Sequence, residues 1–401
     1  MNIRKMKDSD FGAIRKIISV CFNIPLGESD EEAAALIATD KSMLGRNYYN
    51  RLVAENEDGV ITSTLRIAPY KASFDGGEIK IADIGAVASL PEYRNRGTIR
   101  ECFRVALGEL YKDDFAFSYV QAFSTAYYKK FGYAPAAFLS DWEIKTEKLK
   151  PVELLGSYEP VSAFTNDARE VYGKMMERFS LLAERTPCDW EAYEKNYLCD
   201  KFKTYLYRDE NGVPKSFFSY EIADENGESI LDMKERVYFY DKEGFLAILN
   251  FAASLACDFG ILRLAFSTDA NLDSLLAEHA RFAITKKVRS NGMARCVKLE
   301  SALNSASFIG SGRLVLEIKD EMIPENSGKF AIEFKDGALS SLYKTEDEAD
   351  AKMGIDVFTA LLLGRYEECD FEFIDGLEIF KNRSELKKIF YRKRIASFHC
   401  L

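Results

Sequence analysis

The segment 84–133 constrains this chain more than any other part of its sequence. It begins with an apolar strand, Ile84–Ala88, and continues through a loop with two arginines and one glycine into an amphipathic helix. The loop therefore lies at a helix N-terminus, where unpaired backbone N–H groups and the positive end of the helix dipole favour phosphate oxygens. Gly97 lets the backbone approach a diphosphate closely, and the two arginines add charge and donors. An ordinary strand–helix connection has the same pattern, so the loop alone leaves both interpretations open.

A second motif lies downstream, where the strand Phe117–Ala122 leads to the turn 128–133 with the sequence Tyr-Lys-Lys-Phe-Gly-Tyr. Together, the Arg94-x-x-Gly97 loop and this turn resemble the GCN5-related N-acetyltransferases (GNAT family). Ile99 replaces the final small residue of the general GNAT loop. That difference agrees with one branch, the enhanced-intracellular-survival (Eis) acetyltransferases, in which the loop has Arg-x-Arg-Gly-x-Leu and the turn Tyr-x-x-Phe-Gly-Tyr.

Strands and helices alternate along the 401 residues, which predicts an α/β (α+β) protein of two or three domains. The order of elements in residues 1–140 returns in residues 141–288, but no Arg-x-x-Gly loop precedes the apolar helix there. The resemblance implies tandem GNAT folds, a catalytic domain at 1–140 and a degenerate copy at 141–288. It also implies an α+β sterol-carrier-like domain at 289–401. An unrelated α/β domain remains the alternative for the second stretch, and a packing domain with a filled interior for the third.

Local patterns within the second and third stretches predict further elements. They comprise a polar linker over 141–160, a strand over Cys296–Leu299, and helices over Arg169–Arg185, Thr345–Ala351, Gly354–Leu363 and Ser384–Ile389.

Composition excludes several classes of function. The net charge of −10 argues against a nucleic-acid partner and favours cationic substrates through electrostatic steering. No signal peptide is expected, because charges occur within the first residues. The apolar run 244–261 is interrupted by Asn250 and Asp258, which disfavours a membrane span. We therefore expect a cytoplasmic protein without a membrane partner.

Cysteine and histidine usage argues against a metal centre. The eight cysteines contain no Cys-x-x-Cys pair, so we expect reduced, buried thiols. His279 and His399 are the two histidines, which makes a zinc site of the usual spacing improbable and, with no Gly-x-Ser-x-Gly elbow, disfavours a Ser-His-Asp hydrolase. No metal ligand is predicted.

The resemblance implies that acetyl-CoA is the cosubstrate and that the loop and its neighbours bind it. Residues 87–89 would pair with the pantetheine arm, and residues 95–100 would form the diphosphate cradle. The full predicted set is Val87, Ala88, Ser89, Asn95, Arg96, Gly97, Thr98, Ile99, Arg100, Phe123 and Ser124.

Tyr128 is the general acid that the resemblance implies, donating a proton to the leaving thiolate. A tyrosine, with a reference pKa of about 10, can protonate a thiolate whose conjugate acid has a pKa of about 8.5. Tyr127 competes for the role, because adjacent helical residues point about 100° apart and only one can face the sulfur. A core aromatic is the other interpretation of Tyr128.

The resemblance assigns the general base to the C-terminal carboxylate of Leu401, which would insert into the active site. The apolar end Ile395–Leu401 agrees with burial, although it would equally suit packing on a neighbouring surface. His399 is the rival base, because its ordinary pKa lies near neutrality.

The expected function is therefore transfer of an acetyl group to a primary amine, such as an aminoglycoside, a polyamine or a lysine-like substrate. Acidic residues that would attract a cationic amine are Glu28, Asp30, Glu31, Glu32, Asp40 and Asp83. The family also implies a homo-oligomer, often a hexamer. A non-catalytic acyl-CoA sensor and a lipid-binding protein are the alternatives.

Overall fold

The computed structural model describes residues 1–25, 29, 31–32, 34–35, 50–163, 166–276 and 283–396. Its contacts divide the chain into two compact units. One unit comprises Met1–Ala136 and Gly292–Lys393, and the other comprises Ala137–Asn291 and the segment from Arg394. Most of the first predicted domain and most of the third thus belong to one unit. None of the helices in the described ranges has the length and apolar character that a membrane crossing needs.

The strands, in chain order, are β1 (Asn2–Lys5), β2 (Arg51–Glu55), β3 (Ile61–Phe74), β4 (Gly77–Ser89), β5 (Phe117–Val120), β6 (Ala134–Pro135), β7 (Phe138–Lys145), β8 (Ser157–Pro160), β9 (Lys203–Arg208), β10 (Pro214–Glu225), β11 (Glu228–Lys234), β12 (Val237–Phe239), β13 (Ile261–Ser267), β14 (Ile284–Ser290), β15 (Met293–Cys296), β16 (Gly312–Lys319), β17 (Gly328–Lys335), β18 (Ala338–Lys344), β19 (Ala351–Gly354) and β20 (Glu378–Ile379). The helices used below are α1 (Phe11–Phe22), α2 (Thr98–Lys112), α3 (Thr125–Lys129), α4 (Asn166–Met176), α5 (Pro187–Tyr197), α6 (Lys242–Ser254), α7 (Leu299–Asn304), α8 (Ile355–Leu362) and α9 (Arg383–Ile389).

The first unit contains a seven-stranded sheet in the order β1-β2-β3-β4-β5-β15-β6. Helices α1 and α2 cover its opposite faces. Successive side chains of a strand point to opposite faces, and Leu52 of β2 packs with Phe103 of α2, whereas Val53 packs with Ile14 of α1. The apolar periodicity of α1 and α2 thus places one helix on each side of the sheet.

Strand β15 belongs to this first sheet, although it follows the second stretch of the chain. It pairs antiparallel with β5 (Met293↔Val120) and with β6 (Met293↔Pro135). The strand predicted over Cys296–Leu299 therefore lies earlier in the chain, at Met293–Cys296, because Leu299 already begins α7.

The second unit is built on an eight-stranded sheet in the order β14-β7-β13-β11-β10-β9-β8, with β12 paired to β10. The polar linker predicted over 141–160 is wrong at its start, because β7 runs to Lys145 and pairs with both β13 and β14. Its buried residues, Ser140, Trp142 and Ile144, alternate with charged ones. This period of two indicates a strand in spite of the high charge.

The predicted helix Arg169–Arg185 is also shorter than expected, because α4 ends at Met176. Beyond it, Ser180 donates its N–H to the carbonyl of Arg394, and Leu181 adopts a positive φ of 64°. Pairing with the distant segment therefore replaces the next helical turn.

The second sheet also contains a parallel strand pair, β11 and β13, and α6 lies between these two strands in the chain. At the N-terminus of α6, the carboxylate of Asp241 accepts the N–H of Gly244 at 2.9 Å. A Cβ on Gly244 would lie 2.4 Å from the carbonyl oxygen of Lys215, so this helix N-terminus is closed.

The C-terminal part of the first unit carries a five-stranded sheet in the order β18-β17-β16-β19-β20. The helices predicted over Gly354–Leu363 and Ser384–Ile389 are confirmed as α8 and α9. The helix predicted over Thr345–Ala351 is wrong. Asp350 instead exchanges hydrogen bonds with Val315 of β16, through its N–H and through its carboxylate, and fixes the chain that leads into β19.

Candidate active site

A bulge interrupts β4 beside the predicted loop. Thr64 of β3 pairs with Ala88, but Arg66 pairs with Gly85, so Leu65 opposes two residues of β4. Ala86, one of the two, has a positive φ of 49°. A bulge turns backbone groups out of the regular ladder. The other of the two residues is Val87, the first of the predicted acetyl-CoA residues, and Ala88 and Ser89 follow directly.

The pairing of strands β4 and β5 ends at Asp83, shortly before the bulge. Their parallel pairing covers Ile81–Asp83 of β4 opposite Phe117–Tyr119 of β5. The backbone of β4 from Ile84 onward is therefore not paired with β5. Val87 is half-buried, whereas the side chains of Ala88 and Ser89 are buried, so it is backbone that this strand end presents.

The loop after β4 ends in an exposed helix N-terminus. Gly97 has a positive φ of 77° and immediately precedes α2, and Asn95 also adopts a positive φ, of 60°. A Cβ built on Gly97 meets no atom within 4 Å, so space lies open beside the loop. The first N–H groups of α2, starting with buried Thr98 and half-buried Ile99, have no partner within the helix. The arrangement provides a cradle for an anion.

The arginines of the loop are held in different ways. Arg94 donates from Nε to the carbonyl of Ser89 at 3.2 Å and so braces the bend after β4. Arg96 donates to the carbonyl of Glu92 at 3.0 Å and lies over the ring of Tyr93. Arg100 forms an exposed ion pair with Glu321 at 3.1 Å. Arg96 and Arg100 are the two arginines in the predicted acetyl-CoA set. Arg100 contacts the C-terminal part of the unit, and no sequence pattern indicates this contact.

The turn 128–133 begins at the short helix α3. Ser124 caps this helix, accepting the N–H of Tyr127 on its hydroxyl at 3.3 Å. Tyr128 is 3% exposed, and Tyr133, which is fully buried, bonds through its hydroxyl to Ser118 at 2.7 Å. Both strand β5 and helix α3 therefore fix the position of Tyr128.

Aromatic rings surround Tyr128. Phe103 of α2 stacks on Phe131 at 4.6 Å and meets Tyr128 edge to face at 6.1 Å. Phe123, 75% exposed, contacts both Tyr127 at 5.3 Å and Tyr128 at 5.5 Å. The ring of Tyr128 thus packs as a core aromatic. The exposed ring of Phe123 forms an apolar surface next to it.

Burial raises the pKa of Tyr128 to about 12, and the nearby Tyr127 and Asp83 add to the rise. The phenol therefore stays protonated through the neutral range, as a proton donor requires. The pKa of Tyr127 is also raised, mainly by burial. Asp83 itself is buried and pairs with Arg66 at 2.8 Å, beside the bulge. The acidic surface residue expected at position 83 is thus an internal ion pair.

Leu401, His399, His279, Glu28, Asp30 and Asp40 lie outside the described residues. Glu31 and Glu32 are exposed. The thiols are less buried than expected: Cys102 and Cys296 are buried and Cys21 is half-buried, but Cys188, Cys199, Cys257 and Cys369 are exposed.

Sequence patterns missed one residue that contacts the turn. Arg295 is fully buried in β15 and donates to the carbonyl of Phe131 at 2.6 Å. The signal was available, because an arginine within the apolar run Met293–Val297 must find a partner when the strand is buried.

Comparisons with known proteins agree with this geometry. Residues 2–136 match the model of the acetyltransferase (GNAT) domain, and residues 299–397 match that of the sterol carrier protein domain. No curated protein matches the chain in sequence.

Solved structures share the fold over the full length. A probable N-acyltransferase from Enterococcus faecalis V583 superposes with a TM-score of 0.84 at 21% identity, covering 100% of this chain and 99% of its own. A GCN5-related N-acetyltransferase from Anabaena variabilis gives 0.85 at 19% identity, with 99% and 100% covered. Eis1 from Mycobacterium abscessus gives 0.79 at 15% identity, with 99% and 98% covered.

The open helix N-terminus, the bulged strand and the separated strands β4 and β5 fit acetyl-CoA, the cosubstrate of GNAT enzymes. The chain is accordingly an acyltransferase with a GNAT domain over residues 2–136 and a sterol carrier protein domain over residues 299–397, in a fold that it shares with Eis1 from Mycobacterium abscessus.

Proposed function

We propose that this enzyme is an acetyl-CoA-dependent N-acetyltransferase that acts on a primary amine, with Tyr128 as the general acid. The supporting observation is a buried tyrosine, with its pKa raised to about 12, in the turn that follows β5, the strand next to β4. Acetyl-CoA supplies the activated acetyl thioester when it is bound. The aminoglycoside, polyamine or lysine-like nature of the amine follows from the Eis resemblance.

The residues of the chain would divide the work by position. The N-terminus of α2 and residues 95–100 hold the diphosphate through backbone N–H groups and positive charge. Backbone N–H groups at 87–89 hold the pantetheine arm and polarise the thioester carbonyl. Phe123 and Ser124, which follow β5 in the chain, complete the acetyl-CoA site. Tyr128 gives its proton to the departing sulfur, and solvent restores it.

The amine must lose a proton before it attacks, because primary amines are protonated at neutral pH. We propose the C-terminal carboxylate of Leu401 as the base, with His399 as the rival. In a chain that ends at Leu401, deletion of Leu401 moves the C-terminal carboxylate back along the chain by about 3.5 Å. We expect kcat to fall about tenfold, because the remaining carboxylate of Cys400 reaches the amine only through water.

A short C-terminal extension and a His399→Gln variant separate the two bases. If the carboxylate is the base, the extension lowers kcat and His399→Gln leaves it unchanged. The opposite result, a fall with His399→Gln alone, would transfer the role to the imidazole. Steady-state thiol release at saturating acetyl-CoA measures all three variants.

The amine specificity is tested by following thiol release from acetyl-CoA with a panel of aminoglycosides, polyamines and a lysine peptide. We expect at least one class of amine to raise the rate clearly above hydrolysis, and mass spectrometry to find that amine heavier by one acetyl group. Binding of acetyl-CoA without turnover of any amine would indicate an acyl-CoA sensor instead. Binding of apolar ligands in place of acetyl-CoA would indicate a lipid-binding protein.

The proposal extends to organisation. We propose a catalytic domain at 1–140, a degenerate copy at 141–288 and a sterol-carrier-like domain at 289–401, in a homo-oligomer (a hexamer by the Eis resemblance) that works in the cytoplasm.

A further inference from the structure

A buried ion pair joins the C-terminal domain to the turn that carries Tyr128. The guanidinium of Arg295 is fully buried and pairs with Asp320, which follows β16 and is also fully buried at its side chain. The same guanidinium donates from Nη1 to the carbonyl of Phe131 at 2.6 Å. A buried charge is costly unless it is paired and hydrogen-bonded, so these contacts define one arrangement of the turn.

The other partners of Asp320 fix its position in turn. One carboxylate oxygen accepts the N–H groups of Met322 and Ile323, at 2.9 and 3.1 Å. The second accepts the side-chain amide of Asn326 at 3.0 Å, and the same amide group donates to the carbonyl of Val297. The segment 320–326 is thereby tied to Arg295 of β15 and to Val297, which follows that strand.

Apolar contacts follow the polar ones. Met322 and Ile323 belong to the same buried cluster as Phe103, Tyr128 and Phe131. The residue next to Asp320, Glu321, pairs with Arg100 at the start of α2. One short segment of the C-terminal domain therefore touches both the loop and the turn of the site.

The turn has no space for a side chain at Gly132. A Cβ on Gly132 would lie 2.7 Å from the side chain of Ile355, at the start of α8, and 3.1 Å from Nη1 of Arg295. Gly132 also has a positive φ of 80°, which favours glycine. The backbone of the turn is thus enclosed between α8 and the guanidinium, and a change in either displaces it.

We propose that Arg295, held by Asp320, is a positioning residue for Tyr128, so that the sterol carrier domain sets the geometry of acetyl transfer. This inference rests on the proposed role of Tyr128 and adds a task for the C-terminal domain within the same reaction. The guanidinium acts through the Phe131 carbonyl and touches no reacting atom.

The test is Arg295→Lys. The ammonium retains the charge opposite Asp320 but lacks the planar fork that reaches the Phe131 carbonyl at the same time. We expect kcat to fall about tenfold, as for a sub-ångström displacement of the acid. The Kd and KM for acetyl-CoA should stay within about twofold of the wild-type values, because the loop 94–100 is not displaced.

Lys393→Met is the matched control, because Lys393 is also buried and pairs with Asp75 of the β3–β4 hairpin in the same unit. It should lower the melting temperature and leave kcat unchanged. An equal fall of kcat in both variants would reduce Arg295 to general stabilisation and overturn the proposal. Asp320→Asn, which keeps the shape of the partner, provides a second variant if Arg295→Lys does not fold, and it should lower kcat in the same way.

A double-mutant cycle with Tyr128→Phe separates this inference from the proposed function. If Arg295 acts through Tyr128, Arg295→Lys should have little further effect on kcat in the Tyr128→Phe background. Additive losses would overturn the positioning role while leaving Tyr128 as the acid. An unchanged rate for Tyr128→Phe alone would remove the acid itself, and with it this inference.

Discussion

Tyr128→Phe is expected to lower kcat about 100-fold or more, within the usual range for loss of a general acid. The hydroxyl is the group removed, while the ring keeps its edge-to-face contacts with Phe103 and Tyr133. The Kd for acetyl-CoA should change little, because the diphosphate cradle lies in a different loop. Stopped-flow thiol release for kcat and calorimetry for the Kd measure the two effects separately.

Tyr127→Phe is the matched control. It alters the adjacent residue, which is half-buried and also has a raised pKa, and it should leave kcat nearly unchanged. A severe loss in Tyr127→Phe with an active Tyr128→Phe enzyme would exchange the two assignments.

The pH dependence of kcat gives an independent check on the acid. A general acid loses activity as the pH rises through its pKa, and burial has raised the pKa of Tyr128 to about 12. We therefore expect kcat to rise as the base and the amine deprotonate and then to stay level up to about pH 10.5. A fall of kcat centred at about pH 8.5 would indicate that the acid is a thiol or another group whose pKa is lower than that of Tyr128.

Gly97→Glu is expected to raise the Kd for acetyl-CoA about 100-fold, which corresponds to ~2.7 kcal/mol. Two effects contribute: a side chain at φ 77° strains the loop, and a carboxylate at the N-terminus of α2 competes with and repels a diphosphate. Calorimetric titration with acetyl-CoA measures the change, and thermal unfolding checks that the protein remains folded.

Gly97→Ala isolates the backbone contribution. No atom lies within 4 Å of the added Cβ, so this variant carries backbone strain without a clash or a charge. The strain is about 1 kcal/mol, and the Kd for acetyl-CoA should therefore rise less than tenfold. Wild-type affinity in Gly97→Glu would show that the diphosphate binds elsewhere.

The parts of the site that sequence reasoning located are the local ones. The boundaries of α2 follow from a 3.6-residue apolar period and from a glycine that can adopt a positive φ. The bulge in β4 does not follow from the residue pattern, because nothing in residues 84–88 distinguishes a bulged strand from a regular one.

The parts that escaped prediction depend on distant residues. Arg295 and Asp320 are separated along the chain from the turn that they fix, and no periodicity links them to Phe131. The helix expected over Thr345–Ala351 fails for the same reason. Its charged residues suit an exposed helix, but hydrogen bonds between Asp350 and Val315 outweigh that weak local preference.

The placement of β15 between β5 and β6 has a consequence for biosynthesis. During translation, the acetyltransferase sheet gains its last inner strand only after Cys296 has left the ribosome, when residues 137–291 of the second unit have already emerged. Until then β6 has no neighbour through which it joins the sheet. An excised N-terminal fragment would expose the edge of β5 to intermolecular pairing, so this catalytic domain matures late and together with its C-terminal companion.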